Sequence, residues 1–423
     1  MDLTSKILLD REKRNEIINS YLDKYDCIAL KANIMGPNKN VFESFILINY
    51  FEKVIDENIP NFSLKRKENS FDGQYLLYLY PKGLYQDLKE KTVKIEEEYK
   101  LGRIVDIDVY YDLSGSVHRG HLRKCLICDN PAYVCNRLNS HSYQELIETM
   151  DKLIIDELSE IIRVSIDQAI ELELSLPYKF GCVCVNDQAS HSDMNASIMR
   201  KAKNTIIPYL VEMFVYGYKI NNLDDLFKEI RLIGISAENE MYKSTNGINC
   251  YKGLIFILGL LVSSLGYYFR NQNDMLNNIF DNIKLMTKSL ELELVNSNTN
   301  GLQAYQMYKF KGARHEAMSG LQNVKENLMF CKDLEESSLE KTLINIILNI
   351  DDTVMLKRAK SIEKYLSVKD RIKNINSLDE LIVVNNYCIK ENISVGGACD
   401  ILICVIFLKL INKKININGE NYA

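Results

Sequence analysis

Gly102-Arg103-Ile104-Val105-Asp106-Ile107-Asp108-Val109-Tyr110 alternates apolar and polar side chains with the two-residue period of a half-buried strand. Val105, Ile107 and Val109 fall on the face that the pattern turns toward a core. Asp106 and Asp108 fall on the other face, their backbones roughly 7 Å apart. Two hard oxygen ligands on one face suit Mg²⁺, which keeps several waters and bridges nucleotide phosphates. Such an ion stabilises charge on an attacked phosphorus and on leaving pyrophosphate. Gly102 permits close backbone approach, and Arg103 can fork two phosphate oxygens. The stretch thus fits the metal-holding strand of a nucleotidyltransferase. A bare Asp-x-Asp also fits the solvated acidic face of an ordinary half-exposed strand.

Outward from this strand, the first 150 or so residues mix helix and strand patterns. Residues 7–25, 41–57 and 84–99 read as helices, and 27–33 and 74–80 as strands, with a turn at Gly36-Pro37-Asn38-Lys39. A long helical stretch follows over 145–175. All six prolines lie at or before Pro208, and the rest of the chain places apolar residues three and four apart, as in Leu223, Leu226, Ile230 and Ile233. The expected architecture is multidomain: an α+β nucleotidyltransferase-like N-terminal domain over residues 1–154, then an all-α C-terminal domain over 155–423.

The chain has 423 residues and a net charge of -5, which argues against a general nucleic-acid binder. The apolar runs 254–265 and 401–411 are too short to span a bilayer, so no membrane role is expected. Eleven cysteines without an export signal read as reduced thiols of a cytoplasmic protein. Cys125, Cys128, Cys135 and His141 form C-x2-C-x6-C-x5-H, ligand types that suit zinc. Small buried thiols around a turn, with a surface histidine, fit the same spacing.

Several separated stretches carry a resemblance. Leu8-Leu9-Asp10-Arg11-Glu12-Lys13-Arg14, Asn33 to Asn40, Gly102 to Val109, Arg123 to Cys128, then Ala132, Cys135, Arg137, His141-Ser142 and Glu145-Leu146 resemble the citrate lyase holo-acyl-carrier-protein synthases. The resemblance implies transfer of a phosphoribosyl-dephospho-CoA group to a serine of the citrate lyase acyl carrier protein, with release of pyrophosphate. Asp106 and Asp108 would hold Mg²⁺, and Arg103 would grip the triphosphate, with Gly102 and Arg123 beside it.

The second half resembles the triphosphoribosyl-dephospho-CoA synthases. The stretches are Ser190-His191 with Asp193-Met194; Gly234 to Gly259, including Glu238, Asn249, Lys252 and Gly253; Gly312 to Gly320; Asp352-Thr353; and Ser394 to Leu402. The implied substrates are ATP and 3'-dephospho-CoA, whose 2'-hydroxyl displaces adenine from ribose. That chemistry needs a base, cations on the triphosphate and stabilisation of an oxocarbenium-like centre. Glu238, Glu316, Asp193 and Asp400 are candidate carboxylates, and Lys252 and Arg314 candidate phosphate cations. Gly253, Gly312, Gly396 and Gly397 would let backbone approach phosphate, with Asn249 nearby. Several family histidines are replaced: Cys250-Tyr251 stand for Thr-His, Thr299-Asn300-Gly301 for Thr-His-Gly, and Lys357-Arg358-Ala359-Lys360 for His-Arg-Gly-Gly. The expected function is a fusion that makes and attaches the citrate lyase prosthetic group. Two alternatives stand beside it: activity in the first domain alone, and a zinc-containing adaptor without activity.

Overall fold

The computed structural model describes residues 2–271, 277–293, 310 and 312–417. The Thr299-Asn300-Gly301 stretch lies outside them. The chain divides into two compact units, one spanning Met1–Leu158 with a C-terminal segment from Lys413, the other Ser159–Asn412. The division falls inside a single long helix, α5 (Tyr143–Ser175).

The first unit runs α1 (Leu3–Asn19), β1 (Tyr25–Ala32), α2 (Phe42–Asn58), β2 (Leu64–Glu68), β3 (Tyr75–Pro81), α3 (Tyr85–Glu98), β4 (Val105–Tyr110) and α4 (Ala132–Leu138) before α5. Its sheet is antiparallel, in the order β2-β3-β1-β4. The register sets Val105, Ile107 and Val109 beside Ala32, Leu30 and Ile28, all buried on one face, which α2 and α3 cover. The opposite face carries Cys27, Ala29, Tyr75, Leu77 and Leu79, packed under Ile18 and Leu22. Burying each such aliphatic side chain contributes about 1.5–3 kcal/mol, which is why the alternation of β4 is held in register. β4 is an edge strand, and its outer edge is not left open: the Glu96 carboxylate accepts from Ile107 N at 2.9 Å, and Val117 N donates to Val109 O at 2.7 Å.

The second unit continues with α6 (Ala196–Lys219), α7 (Leu223–Ser244), α8 (Lys252–Arg270), α9 (Asn277–Met286), α10 (Leu290–Glu293), α11 (Gly312–Met318), α12 (Gln322–Phe330), α13 (Glu336–Asn349), α14 (Thr353–Ala359), α15 (Ile362–Lys373), α16 (Leu378–Lys390) and α17 (Gly396–Lys414). Side-chain caps start many of these, among them Asn195 on Ile198 N, Asn222 on Asp225 N, and the Ser377/Glu380 capping box of α16. α8 is long and apolar enough to cross a membrane, yet 72% of its apolar window is buried inside the protein, as suits a core helix. It packs on α6, α7 and α9.

Candidate functional site

The strand pairing builds the first site. On the polar face of β4, Asp108 stands beside Ala29 and Asp106 beside Lys31. Lys31 pairs in turn with Tyr75 of β3, whose ring lies 5.5 Å from the Arg14 guanidinium. The α1 residues Arg11 and Arg14, together with Lys31, converge on Asp72, a fully buried carboxylate in the β2–β3 connection. Burial opposes the Asp72 charge, but hydrogen bonds from Arg11, Lys31 and Arg14 outweigh it and hold its carboxyl at about 2. Lys39 donates to the Ile34 carbonyl and lies within the electrostatic reach of Asp72 and Asp106; burial pulls its ammonium down. Lys31 thus stands beside Asp106 in the register, Lys39 within electrostatic reach of Asp106 and Arg14 within reach of Asp108, while Arg11 is engaged by Asp72. Burial, then the Asp106 charge, raises the Asp108 carboxyl above its ordinary range, against the pull of Lys89, Arg123 and Arg14. A pair in that state is suited to a divalent cation, whose charge would reverse the shift.

The segment after β4 closes over its edge. Arg123 donates to Asp106 Oδ1 and to the Val105 carbonyl, and reaches Gly102 O at 3.1 Å and Glu96 at 3.4 Å. Arg103 donates to Cys125 O at 3.1 Å. The close approach that Gly102 allows is to α3: a Cβ there would lie 2.3 Å from Glu96 O. Two residues beyond Arg123, the ligand atoms of Cys125, Cys128, Cys135 and His141 all lie within 4.8 Å of one another, a group that could hold a metal ion.

The second unit holds a cleft of about 1180 Å³. Its walls come from the end of α5, the 176–195 loop, the N-termini of α8 and α17, and α14. The N-termini of α8 and α17 both open on it, and their dipoles favour negative charge there, although Asn249 and Asp352 already cap Lys252 N and Ala398 N. Gly253 leaves room for the Asp400 carboxylate, since a Cβ there would fall 2.2 Å from Asp400 Oδ2. Asp352 ties two helix starts together, accepting from Val354 N and Met355 N of α14 and from Ala398 N of α17 at 3.1 Å. Asp400 is enclosed, and burial, then Asp352 and Glu173, raises its carboxyl well above the ordinary range. Glu173 itself pairs with Lys179 at 2.7 Å, both buried. On the facing wall Arg358 Nη2 donates to His191 Nδ1 at 2.9 Å, which leaves Nε2 protonated and 3.0 Å from Ser394 Oγ. Burial, then the Arg358 charge, lowers His191 to about 4, so the imidazole is neutral.

The family of ATP:dephospho-CoA triphosphoribosyl transferases matches the chain over residues 159–419. The chain belongs to this family. Ahead of it, residues 3–157 match the family of apo-citrate lyase phosphoribosyl-dephospho-CoA transferases. The chain is therefore a tandem of the two transferases of citrate lyase maturation, one that makes the triphosphoribosyl-dephospho-CoA group and one that transfers it. Among the similar proteins is Protein CitXG of Leuconostoc mesenteroides subsp. cremoris, 28% identical over 94% of each chain. Protein CitXG of Haemophilus influenzae is 25% identical over 95% of this chain and 96% of its own. The 2-(5''-triphosphoribosyl)-3'-dephosphocoenzyme-A synthase of Haemophilus ducreyi is 29% identical over 66% of this chain and 98% of its own.

Of the residues singled out in the synthase half, Asp193, Asn249, Lys252, Gly253, Gly396 and Asp400 line the cleft. Asn249 also caps α8 through Lys252 N at 3.1 Å. Gly397 lies behind the lining, where a Cβ would sit 3.1 Å from the Asp352 carboxylate. Gly312 abuts Thr353 at the cleft wall, and Arg314 follows it on α11. Glu238 pairs with Lys252 at 2.7 Å outside the cleft lining. Glu316 is buried on α11, and its oxygens accept from Asn323 N and Nδ2 in the first turn of α12 at 2.8 and 2.7 Å. Glu173 and Lys179 join the cleft from outside the motif stretches named above, whereas His191, Arg358 and Ser394 lie inside them without a role assigned. In the transferase half, Lys31 and Asp72 were equally unmarked, since only strand register brings them to Asp106.

Proposed function

We propose that each family activity resides in its own unit: a nucleotidyltransferase-like α+β unit carrying the transfer step, and an all-α unit carrying the synthesis. The observation that carries this reading is the pair Asp106 and Asp108 on one face of β4, with Lys31 beside Asp106 in the register, Lys39 within electrostatic reach of Asp106, Arg14 and Lys89 within reach of Asp108, and Arg123 on Asp106. A triphosphate needs concentrated positive charge, and the two aspartates supply hard oxygens for Mg²⁺, which when bound would neutralise charge on the transferring phosphoryl group. The serine hydroxyl of the citrate lyase acyl carrier protein attacks the ribose-linked phosphorus. A new P–O bond forms to serine, the bond to the β-phosphate breaks, and pyrophosphate leaves against the cations. One of the two aspartates, or the bound metal, would take up the charge as the serine proton leaves. Arg123 fixes the orientation of Asp106.

In the synthase cleft, Lys252, Lys357, Arg358 and Lys360 are the cations facing the triphosphate of ATP. The 2'-hydroxyl of dephospho-CoA attacks the anomeric carbon of the ATP ribose, the C–N bond to adenine breaks, and the triphosphate stays on the product. Glu173 is engaged by Lys179, which leaves Asp400 and Asp193 as the lining carboxylates able to accept the hydroxyl proton. The neutral His191, fixed by Arg358 and Ser394, orders the wall and is not a free base.

The test is mass spectrometry of an apo citrate lyase acyl carrier protein after incubation with the chain, ATP, dephospho-CoA and Mg²⁺, with adenine release followed in parallel. A phosphoribosyl-dephospho-CoA mass on the carrier serine is expected, with one adenine released per group made. Labelling only when preformed prosthetic group is supplied, with no adenine, would assign activity to the first unit alone.

A further inference from the structure

The segment between β4 and α5 is poorly provided with core. It holds two isolated bridges, Ser116 to Tyr110 at the end of β4 and Lys124 to Pro131, and the short helix α4, and it exposes Leu113, Leu122, Tyr133 and Leu138. Stretches that bury this little apolar surface need another tie to keep a single conformation. Yet this segment carries Arg123, which meets Asp106, Glu96 and two backbone carbonyls of the β4 edge.

The tie lies two residues away. Cys128 Sγ is 3.5 Å from Cys135 Sγ and 3.4 Å from His141 Nε2, and Cys125 Sγ completes a group of four ligand atoms within 4.8 Å. A tetrahedron built on Zn–S bonds of about 2.3 Å has edges of roughly 3.7 Å, so these spacings fit a single ion. Each cysteine of the set is a free thiol in the structure. Four protein ligands leave no open position, which marks a structural ion rather than a catalytic one. The backbone links the group to the site from both sides: Arg103, at the entry to β4, donates to Cys125 O, and Arg123 precedes Cys125 by two residues.

We propose that Cys125, Cys128, Cys135 and His141 bind one zinc ion as a structural clip that holds Arg123 on Asp106 and so fixes the metal-carboxylate edge of the transferase unit. The ion enters as Zn²⁺, and thiol protons leave to solvent as the thiolates coordinate. The zinc site stands on its own geometry; the coupling to catalysis rests on the transferase reading above.

The full chain, purified without chelator, is expected to hold one zinc by elemental mass spectrometry. Its cobalt-substituted form should show thiolate-to-cobalt charge transfer and tetrahedral d–d bands. A Cys128→Ser, Cys135→Ser double variant should lose the ion, speed hydrogen exchange across residues 119–125 and at the Ile107 amide, and cut carrier labelling at least ~10-fold. Adenine release by the second unit should be unchanged. Because that variant could lose the fold of the whole first unit, the wild-type chain is also stripped with a chelator under reduction and reloaded. Zinc alone should restore exchange protection and labelling together. A chain without zinc whose Cys128 and Cys135 are disulfide-bonded overturns the proposal, as does zinc retained by the double variant. Zinc lost with exchange at Arg123 and labelling unaltered overturns the clip. A wild-type chain that holds zinc but labels no carrier refutes the transferase reading and leaves the zinc site in place.

Discussion

In the transferase unit both carboxylates proposed to hold the metal come from one six-residue strand, Val105–Tyr110. In the synthase unit the lining groups come from segments spread between Glu173 and Ile403. The difference follows from secondary structure. A strand repeats every two residues, so neighbouring positions can share a ligand. A helix turns its face away within two residues, so a helical protein gathers a site from the ends of separate helices, where backbone N–H groups are free. The first site is concentrated and should fail through its side chains. The second is distributed and should fail through its backbone geometry.

The sharpest way to break this contrast is in the transferase unit. An Asp106→Asn, Asp108→Asn chain is expected to lose carrier labelling by at least ~10³-fold, since both hard oxygen ligands and the candidate base go together. Adenine release from ATP and dephospho-CoA should continue at the wild-type rate. Labelling that survives would move the phosphoryl-transfer site elsewhere in the chain.

In the synthase unit the comparable damage needs no change of charge. Gly253→Ala places a methyl group 2.2 Å from Asp400 Oδ2, so the Asp400 carboxylate must turn out of its enclosed position or the helix starts must shift. A misplacement of that order costs about 10²-fold in turnover, read as adenine released per enzyme at saturating substrates. Wild-type turnover by this variant would show that the reaction needs neither the enclosed position of Asp400 nor this placement of the two helix ends.

The same contrast governs what the amino-acid pattern revealed. The alternation of Val105 to Tyr110 was legible because one face is buried and the other is not, and the structure repeats it residue by residue. The helices and strands around it were legible for the same reason. Leu64–Glu68 was not: LKRKE has no apolar alternation, and it becomes strand only because β3 offers it an edge. The cation cluster was hidden in a different way. Arg11 and Arg14 lie in a motif stretch but Lys31 and Asp72 in none, and it is the packing of α1 on β1 and β3, beside the β2–β3 connection, that brings the four together. In the helical unit the motif stretches were visible, but periodicity does not say which helix starts face each other. Hence Glu316 and Glu238 read as equals of Asp400 in the sequence. In the structure Glu316 caps a turn, Glu238 pairs with Lys252, and only Asp400 is enclosed in the cleft.

Acid should separate the two halves by sign. The Asp72 carboxyl is held at about 2, below its ordinary 3.8, so its contribution is fully present above about pH 4 and is lost as pH falls toward 2. Its size is about 2 kcal/mol, the free-energy equivalent of that lowering for a carboxylate whose side chain has no exposed surface. Asp400 is displaced the other way, so its ionised form costs stability at neutral pH and protonation relieves that cost as pH falls. Hydrogen exchange resolved by unit should show the first unit unchanged by these groups from pH 7 to 4 and weakened below. The second unit should tighten as pH falls toward the ordinary carboxylate value of 3.8. An Asp72→Asn chain should lose stability at pH 7 and converge with wild type near pH 2. A gap between the two that persists at pH 2 would mean the carboxylate charge is not what holds Arg11, Arg14 and Lys31.

The smallest expected effect bears on the synthase base. Glu238 sits beside Lys252 at 2.7 Å, but both side chains reach solvent, Lys252 at 55% and Glu238 at 24% exposure. An ion pair of this kind is worth about 0–1 kcal/mol. If Glu238 only steadies Lys252, Glu238→Gln keeps a hydrogen-bonding partner and should raise KM for ATP by no more than about 5-fold, with kcat nearly unchanged. If Glu238 instead removed the proton from the 2'-hydroxyl, the amide could not replace it, and kcat should fall by about 10²-fold or more, the usual size of a lost general base. Asp400→Asn supplies the matching measurement. A large kcat loss there with a small one at Glu238 places the base at the enclosed carboxyl where the starts of α8 and α17 meet; the reverse pattern would move the reacting atoms out along α7, to a surface that the cleft does not enclose.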